Sequence, residues 1–142
     1  AYTTVAKYDE KGNKVEEEEY DGSGKIIFLG DWSGQRPSQE FLPYCVSKSG
    51  VHALTYALAK AFSPNVQVNE ITPGPVLLPE EYSSQERAQV RKNTPLQRFG
   101  DPQDVARVVR FLAESGDFVT GATYGVDGGW SAKGPVGSGT SL

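Results

Sequence analysis

The stretch that decides the fold of this chain is Val66-Gln67-Val68-Asn69-Glu70-Ile71-Thr72-Pro73-Gly74-Pro75. Its first six residues are rich in β-branched apolar side chains, and this composition predicts a β-strand over residues 66–71. Two prolines around a glycine then interrupt the extended chain at residues 72–75. Proline has no N–H for a strand ladder and glycine favours turns, so we expect a buried strand that ends sharply.

An earlier segment predicts a second buried strand. Residues 25–30 form a short continuous apolar run, and such a run is typical of a strand that is covered on both faces. Between the two strands, a helix is predicted over residues 41–62, with apolar side chains at roughly helical spacing: Val46, Val51, Leu54, Leu58 and Phe62. A crossover of this length indicates that the two strands run parallel.

The rest of the chain continues the alternation of helices and strands. Residues 83–92 have helical character, and Asp101-Pro102-Gln103-Asp104 is a helix start, with aspartate at the N-cap, proline next and an acid in the first turn. Residues 120–126 form a predicted strand that Asp127-Gly128-Gly129 ends. This order predicts an α/β fold, in which helices pack on a parallel sheet.

The two ends of the chain differ from this central part. Residues 1–24 predict a polar hairpin or flap, with strands at 3–8 and 14–20 around a turn. Glu16 to Glu19 are read as part of a solvated surface, and a cation site is the less favoured alternative. We hypothesise that this hairpin covers the free edge or one face of the sheet. The tail, 133–142, is rich in glycine and serine and is expected to be flexible, which leaves 25–132 as the main domain.

Composition excludes several classes of protein. The 142 residues suffice for one modest domain, and a net charge of −4 argues against a nucleic-acid binder. A single cysteine, Cys45, excludes an intrachain disulfide and favours a reducing, cytoplasmic location. No apolar run approaches the ~20 residues of a membrane span, and no signal peptide is recognisable at the N-terminus. We expect no metal site and no membrane partner.

The candidate catalytic pair lies at the start of the predicted helix, in Tyr44-Cys45-Val46-Ser47-Lys48. Side chains four residues apart share one face of a helix, so the ammonium of Lys48 lies near the phenol of Tyr44. A nearby positive charge favours the phenolate form. The sequence therefore predicts a lowered pKa for Tyr44, which makes it a better proton donor near neutral pH.

Four segments in this order resemble the short-chain dehydrogenase/reductase family: residues 44–50 (its active-site helix), 66–76 (its sixth strand and Pro-Gly turn), 94–106 (the entry to its penultimate helix) and 118–129 (its closing strand). The resemblance implies a Rossmann-like parallel sheet with flanking helices and hydride transfer from NADPH or NADH to a C=O or C=N carbon. It implies that Tyr44 donates the proton and that Lys48 controls the charge state of Tyr44 and binds the nicotinamide ribose. Pro73, Gly74 and Val76 would contact the nicotinamide.

The same resemblance implies other features of the site. Residues 77–85 would form a mobile substrate loop. The helix over 41–62 would form a dimer interface, so a homo-oligomer is expected. Arg98, His52 and Trp130 are read as structural residues, and Cys45 as a small buried residue rather than a nucleophile.

The chain departs from the family pattern in two ways. It has no Gly-rich turn after a first strand to hold the cofactor pyrophosphate, and no Asn-Ala-Gly segment. Residues 25–132 therefore resemble only the C-terminal, catalytic half of the family's domain. In addition, Asp31 occupies the place of the usual catalytic serine, 13 residues before Tyr44. This aspartate resembles that of the pteridine reductases, which implies a pterin-like or other small carbonyl substrate held by Asp31, Tyr44 and Pro75.

Three alternatives remain open at this point. Asp31 could serve only to cap its loop. The chain could be a catalytically silent remnant with a structural or dimerisation role, since little would anchor the cofactor. It could also resemble a β-ketoacyl or sugar-alcohol reductase, although Asp31 counts against this because those enzymes generally have serine there.

Overall fold

A computed structural model describes residues 3–8, 14–20, 24–114 and 116–132. The elements are β1 (Thr3–Tyr8), β2 (Lys14–Tyr20), β3 (Gly24–Leu29), α1 (Leu42–Phe62), β4 (Val66–Pro73), α2 (Ser84–Asn93), α3 (Pro102–Glu114) and β5 (Thr123–Val126). Short 3-10 turns at Trp32–Gly34 and Gln39–Phe41 lie between β3 and α1. None of the described helices is both long enough and apolar enough to cross a lipid bilayer.

The central sheet is parallel, in the order β3-β4-β5. Gly24 pairs with Val66 and Leu29 with Ile71, while β4 continues against β5 from Glu70–Thr123 to Pro73–Val126. Helix α1 crosses over from β3 to β4, and α2 and α3 connect β4 to β5. The predicted α/β fold is thereby confirmed, and the carboxyl ends of the strands meet at one edge of the sheet.

The core centres on β4, the middle strand. Its apolar residues Val68 and Ile71 are fully buried, together with Leu112 of α3. Cys45 and Ala59 of α1 are also buried, as expected for a small thiol that behaves as a core residue. This packing fixes α1, and with it the candidate catalytic pair, against the sheet.

Strands β1 and β2 pair with each other antiparallel, with Thr3 opposite Tyr20 and an irregular register between Lys7 and Tyr8. They form a sheet of their own, and among the described strands β3 pairs with β4 alone. The described strands of the hairpin and β3 are thus not paired with each other, and the hypothesis that the hairpin covers one face of the sheet stays a prediction. The predicted turn and the flexible tail over 133–142 lie outside the described residues.

The bounds of all three predicted strands of the central sheet differ in the structure. β3 runs from Gly24 to Leu29 rather than over 25–30. β4 runs to Pro73 rather than residue 71, because its pairing with β5 continues to the hydrogen bond of 3.0 Å that Gly74 N donates to Val126 O. β5 begins at Thr123 rather than 120. Before it, Gly121 has a φ of 70°, and side chains replace part of the ladder: Thr120 Oγ1 accepts from Val68 N and Asn69 Oδ1 accepts from Ala122 N, both at 3.0 Å.

The helix starts follow the local sequence closely. Asp101 Oδ1 accepts a hydrogen bond from Gln103 N at 2.8 Å, and Asp104 Oδ2 accepts from Asp101 N at 3.0 Å. These bonds satisfy N–H groups that the first turn of α3 leaves free. α2 begins with a complete capping box between Ser83 and Glu86.

Candidate active site

Asp31 follows β3 at the carboxyl edge of the sheet, and its two carboxylate oxygens have different partners. Oδ1 accepts from Ser33 N at 2.8 Å and caps the 3-10 turn at Trp32–Gly34. Oδ2 accepts a hydrogen bond of 3.1 Å from the hydroxyl of Tyr44. The capping role and contact with the candidate proton donor therefore occur together in one side chain.

Tyr44 lies in the first turn of α1 with 48% of its surface exposed. Partial burial, followed by the negative charge and hydrogen bond of Asp31, raises the pKa of Tyr44 above its ordinary value of 10.0. The expectation that Lys48 lowers this pKa is wrong. The Asp31 carboxylate contacts the hydroxyl directly, and this contact favours the protonated phenol.

Lys48 lies one turn further along α1 than Tyr44, as predicted. Its Nζ is 5.7 Å from the centre of the Tyr44 ring and donates a hydrogen bond of 3.2 Å to the carbonyl oxygen of Leu29. This bond ties α1 to the last residue of β3. The ammonium therefore lies over the ring rather than at the hydroxyl.

A cleft of about 680 Å³ opens in front of Tyr44. Of the predicted site residues, it brings together Asp31, Tyr44, Pro73, Gly74 and Pro75. The other two do not line it: Lys48 has its Nζ over the Tyr44 ring, and Val76 lines a second cleft of about 500 Å³, where its side chain lies close to Gly100. The structure thus assembles most, but not all, of the predicted set on one surface.

Several lining residues were not assigned to the site by sequence reasoning. Three of these are aromatic, namely Trp32, Phe41 and Trp130, and a fourth aromatic wall residue, Tyr82, belongs to the predicted substrate loop. Trp130 was read as a packing residue, yet it borders this cleft. Its distance of 86 positions from Tyr44 in the sequence left no local pattern that could have revealed the contact.

The predicted substrate loop over 77–85 supplies one wall of the cleft through Leu78, Pro79 and Tyr82. Arg87 of α2 fastens this loop, because its Nη2 donates to Pro79 O at 2.9 Å and its Nε donates to Tyr82 O at 3.1 Å. Leu77 at the start of the loop is 82% exposed. An apolar wall of this kind suits a substrate with a flat or hydrocarbon face.

The turn after β5 places Trp130 at the cleft. Asp127 Oδ1 accepts from Gly129 N and Oδ2 from Ser131 N, each at 2.8 Å. Partial burial alone would raise the pKa of Asp127, but the hydrogen bonds from Ser131 and Gly129 outweigh it and lower the pKa. Gly128 and Gly129 have φ values of 63° and 86°, a region that favours glycine.

A buried polar cluster near the site was also missed. Glu70 of β4 is fully buried, and its carboxylate contacts His52 of α1 and Thr123 of β5. The structural role expected for His52 agrees with this position. An acid within the predicted buried strand was the available signal, since such groups are almost never buried without partners.

The site fits the nicotinamide end of a dinucleotide. Tyr44, Pro73 and Gly74 border one open cleft with Lys48 close by, and apolar walls with few polar groups are typical of cofactor pockets. The sequence offers no Gly-rich turn for the pyrophosphate. The residues present therefore suit one part of the cofactor only.

Comparison with known proteins agrees with the geometry. The sequence profile of a family described as enoyl-(acyl carrier protein) reductase matches residues 8–131. A putative ketoacyl reductase of granaticin polyketide synthesis from Streptomyces violaceoruber is 38% identical over 112 residues, which cover 76% of this chain and 45% of the relative. Galactitol 2-dehydrogenase from Cereibacter sphaeroides is 38% identical over 119 residues, covering 78% and 46%.

Solved structures show the same fold. A putative NAD(P)-dependent gluconate 5-dehydrogenase from Beutenbergia cavernae, with bound NADP, is 30% identical with a TM-score of 0.73, covering 78% of this chain and 47% of its own. An actinorhodin polyketide ketoreductase with NADPH is 28% identical with a TM-score of 0.70, covering 78% and 48%. The chain thus spans about half the length of these relatives, and it belongs to the short-chain dehydrogenase/reductase family.

Proposed function

We propose that this chain carries the catalytic half of an NAD(P)H-dependent oxidoreductase that reduces a C=O or C=N group. The hydrogen bond between Tyr44 and Asp31, with Lys48 one turn away, is the observation that carries the proposal. The raised pKa of Tyr44 keeps its hydroxyl protonated at neutral pH. A protonated donor beside an open cleft is what reduction requires.

Each residue has a distinct role in this proposal. The bound reduced nicotinamide supplies the hydride. Tyr44 gives its proton to the developing oxyanion or nitrogen, and Lys48 stabilises the phenolate that remains. Asp31 orients the substrate and, after its carboxylate has taken up a proton from water, returns that proton to the Tyr44 phenolate along the line of the existing hydrogen bond. Pro73 and Gly74 hold the nicotinamide face.

A pterin-like substrate is favoured over a sugar or a β-ketoacyl chain. Among the described residues that line the cleft, Asp31 is the only charged one, and aromatic side chains form much of the wall. A carboxylate accepts hydrogen bonds from the amino and ring N–H groups of a pterin, while aromatic walls stack against its flat rings. Because the chain is similar to galactitol 2-dehydrogenase and to a ketoacyl reductase, a sugar alcohol and a β-ketoacyl compound are the substrates to compare with a pterin.

Tryptophan fluorescence tests cofactor and substrate binding directly, because both tryptophans of the chain, Trp32 and Trp130, line the cleft. We expect micromolar NADPH, and then a dihydropterin, to change their emission. No change up to millimolar NADPH would contradict the proposal and favour a silent remnant.

Tyr44→Phe tests the proton donor. This change removes the hydroxyl but keeps the ring, so we expect turnover to fall by about 10²- to 10⁴-fold while NADPH binding persists. The measurement is NADPH oxidation with pterin, sugar and ketoacyl substrates in parallel. Tyr56→Phe, on the same helix but outside the cleft residues, is the matched control. Unchanged turnover in Tyr44→Phe would contradict the assigned role.

We also propose that α1 mediates association into a homo-oligomer. Val46 and Leu54 are 63% and 44% exposed and lie eight residues apart, on one face of the helix. Exposed apolar side chains along one helix face favour burial against a partner. The same face would serve the alternative function, a structural remnant that dimerises without catalysis.

A further inference from the structure

A buried carboxylate joins the helix that carries Tyr44 to the sheet. Glu70 Oε2 lies 2.7 Å from Nδ1 of His52 and accepts a hydrogen bond of 2.9 Å from Oγ1 of Thr123. Glu70 belongs to β4, His52 to α1 and Thr123 to β5. One oxygen atom therefore links three elements within the core.

The other oxygen of Glu70 has no hydrogen-bond partner among the described residues. It packs directly on the backbone of Gly30, where a β-carbon would collide with it. Burying a carboxylate oxygen without a hydrogen-bond partner costs free energy, so a buried glutamate at this position needs a structural explanation. Gly30 immediately precedes Asp31, and thus Glu70 contacts the chain right beside the acceptor of the Tyr44 hydrogen bond.

The contact between Glu70 and His52 also affects the position of Tyr44, because both His52 and Tyr44 belong to α1. Tyr44, Lys48 and His52 follow one another at intervals of four residues and share one face of α1. The ring of His52 is further held by an edge-on contact with Tyr56, with ring centres 5.3 Å apart. A contact at His52 therefore restricts the rotation of the helix that carries Tyr44.

We infer that Glu70 is a positioning residue, which holds Tyr44 and Asp31 in register by fixing α1 through His52 and the Asp31 loop through Gly30. This inference rests on the proposed role of Tyr44 as the proton donor. The geometry that it describes is nevertheless measurable without cofactor or turnover, through the environment of the Tyr44 hydroxyl.

The test is NMR of the full chain labelled at tyrosine Cζ, with the Tyr44 signal assigned from Tyr44→Phe. In Glu70→Ala we expect the Tyr44 signal to shift and its titration midpoint to fall toward 10.0, since the bond to Asp31 contributes to the raised value. Glu70→Gln keeps the shape and can still bond His52 and Thr123, so it should restore most of the wild-type behaviour.

Asn69→Ala is the matched control, because Asn69 is the adjacent buried residue of β4 and makes its hydrogen bonds to Val119 and Ala122. It should lower stability and leave the Tyr44 signal in place. If Glu70→Ala does not fold, His52→Ala provides the same test from the helix side.

An unmoved Tyr44 signal in folded Glu70→Ala or His52→Ala would overturn the inference, as would an equal shift in Asn69→Ala. The proposed function fails by a different result, namely unchanged turnover in Tyr44→Phe. The two failures are therefore distinguishable.

Discussion

At the scale of single residues, Asp31 decides the electrostatics of the site. Its carboxylate contacts the Tyr44 hydroxyl at 3.1 Å, whereas the Lys48 ammonium lies 5.7 Å from the ring centre and is bonded to Leu29 O. Partial burial, and after it this nearer negative group, raises the pKa of Tyr44 and favours the neutral phenol, against the effect expected of the lysine. Tyr44 therefore stays protonated at neutral pH, but it is a weaker acid than a free tyrosine, and removing its proton requires a more alkaline solution.

Asp31→Asn tests this electrostatic argument. The substitution removes the negative charge while an amide oxygen remains as an acceptor, so we expect the pKa of Tyr44 to fall toward 10.0. The alkaline limb of any reductase activity should move to lower pH in the same direction. Both are measured by tyrosine Cζ titration and by pH–rate profiles.

The control for that experiment is Asp117→Asn. Asp117 is an exposed acid that pairs with Lys25 near the start of β3, at the opposite edge of the sheet. Its removal should leave the titration of Tyr44 where it is. An Asp31→Asn chain with an unaltered Tyr44 midpoint would show that burial alone raises the pKa.

At the scale of elements, helix starts depend on a few local hydrogen bonds. Ser83 Oγ accepts from Glu86 N at 3.2 Å, and Glu86 Oε2 accepts from Ser83 N at 2.8 Å. Glu86 Oε2 also accepts a hydrogen bond of 2.7 Å from the Ser83 hydroxyl, and this bond, followed by the one from Ser83 N, lowers the pKa of Glu86. These bonds also hold the start of α2, which carries Arg87 and thereby the loop at the cleft wall.

Ser83→Ala should therefore weaken α2 and the cleft wall. We expect a loss of about 0.5–2 kcal/mol in the free energy of unfolding, the usual effect of deleting an N-cap, as measured by urea denaturation. The pKa of Glu86 should rise toward 4.5. Ser84→Ala, one position into the helix, should change stability by no more than about 0.5 kcal/mol. Equal losses in both variants would argue against the capping bonds.

At the scale of the whole molecule, two exposed apolar features stand out. The outer edge of β3 pairs with no other described strand, and Leu29 at its end is 56% exposed. The outward face of α1 exposes Val46 and Leu54. Open strand edges and apolar helix faces both promote association.

Val46→Asp distinguishes these two surfaces. A charge on the outward face of α1 should dissociate an oligomer formed through that helix, because burying an unpaired carboxylate is unfavourable. The mass is measured by size-exclusion chromatography with light scattering. Gln89→Asp, on the exposed surface of α2, is the control. A mass that stays unchanged in Val46→Asp would point to another interface, with the β3 edge as the first to examine.

The match between prediction and structure depends on how local each feature is. The capped start of α3 at Asp101 and the helix face shared by Tyr44 and Lys48 involve residues within four positions of one another, so the sequence pattern contains them. The start of β5 is not contained in any local pattern. There Gly121 has a positive φ, and hydrogen bonds to the side chains of Thr120 and Asn69 replace part of the backbone ladder. The bonds from these side chains reach across 52 and 53 residues.

The sequence by itself determined the parallel α/β arrangement, the helix that carries Tyr44 and Lys48, and the family, because periodicity and short motifs encode them. Only the tertiary structure decided the direction of the pKa shift of Tyr44, the place of Trp130 at the cleft and the contact of Glu70 with His52. These depend on which side chains meet after the strands pair. Distances between such atoms are set by packing, and no spacing along the chain records them.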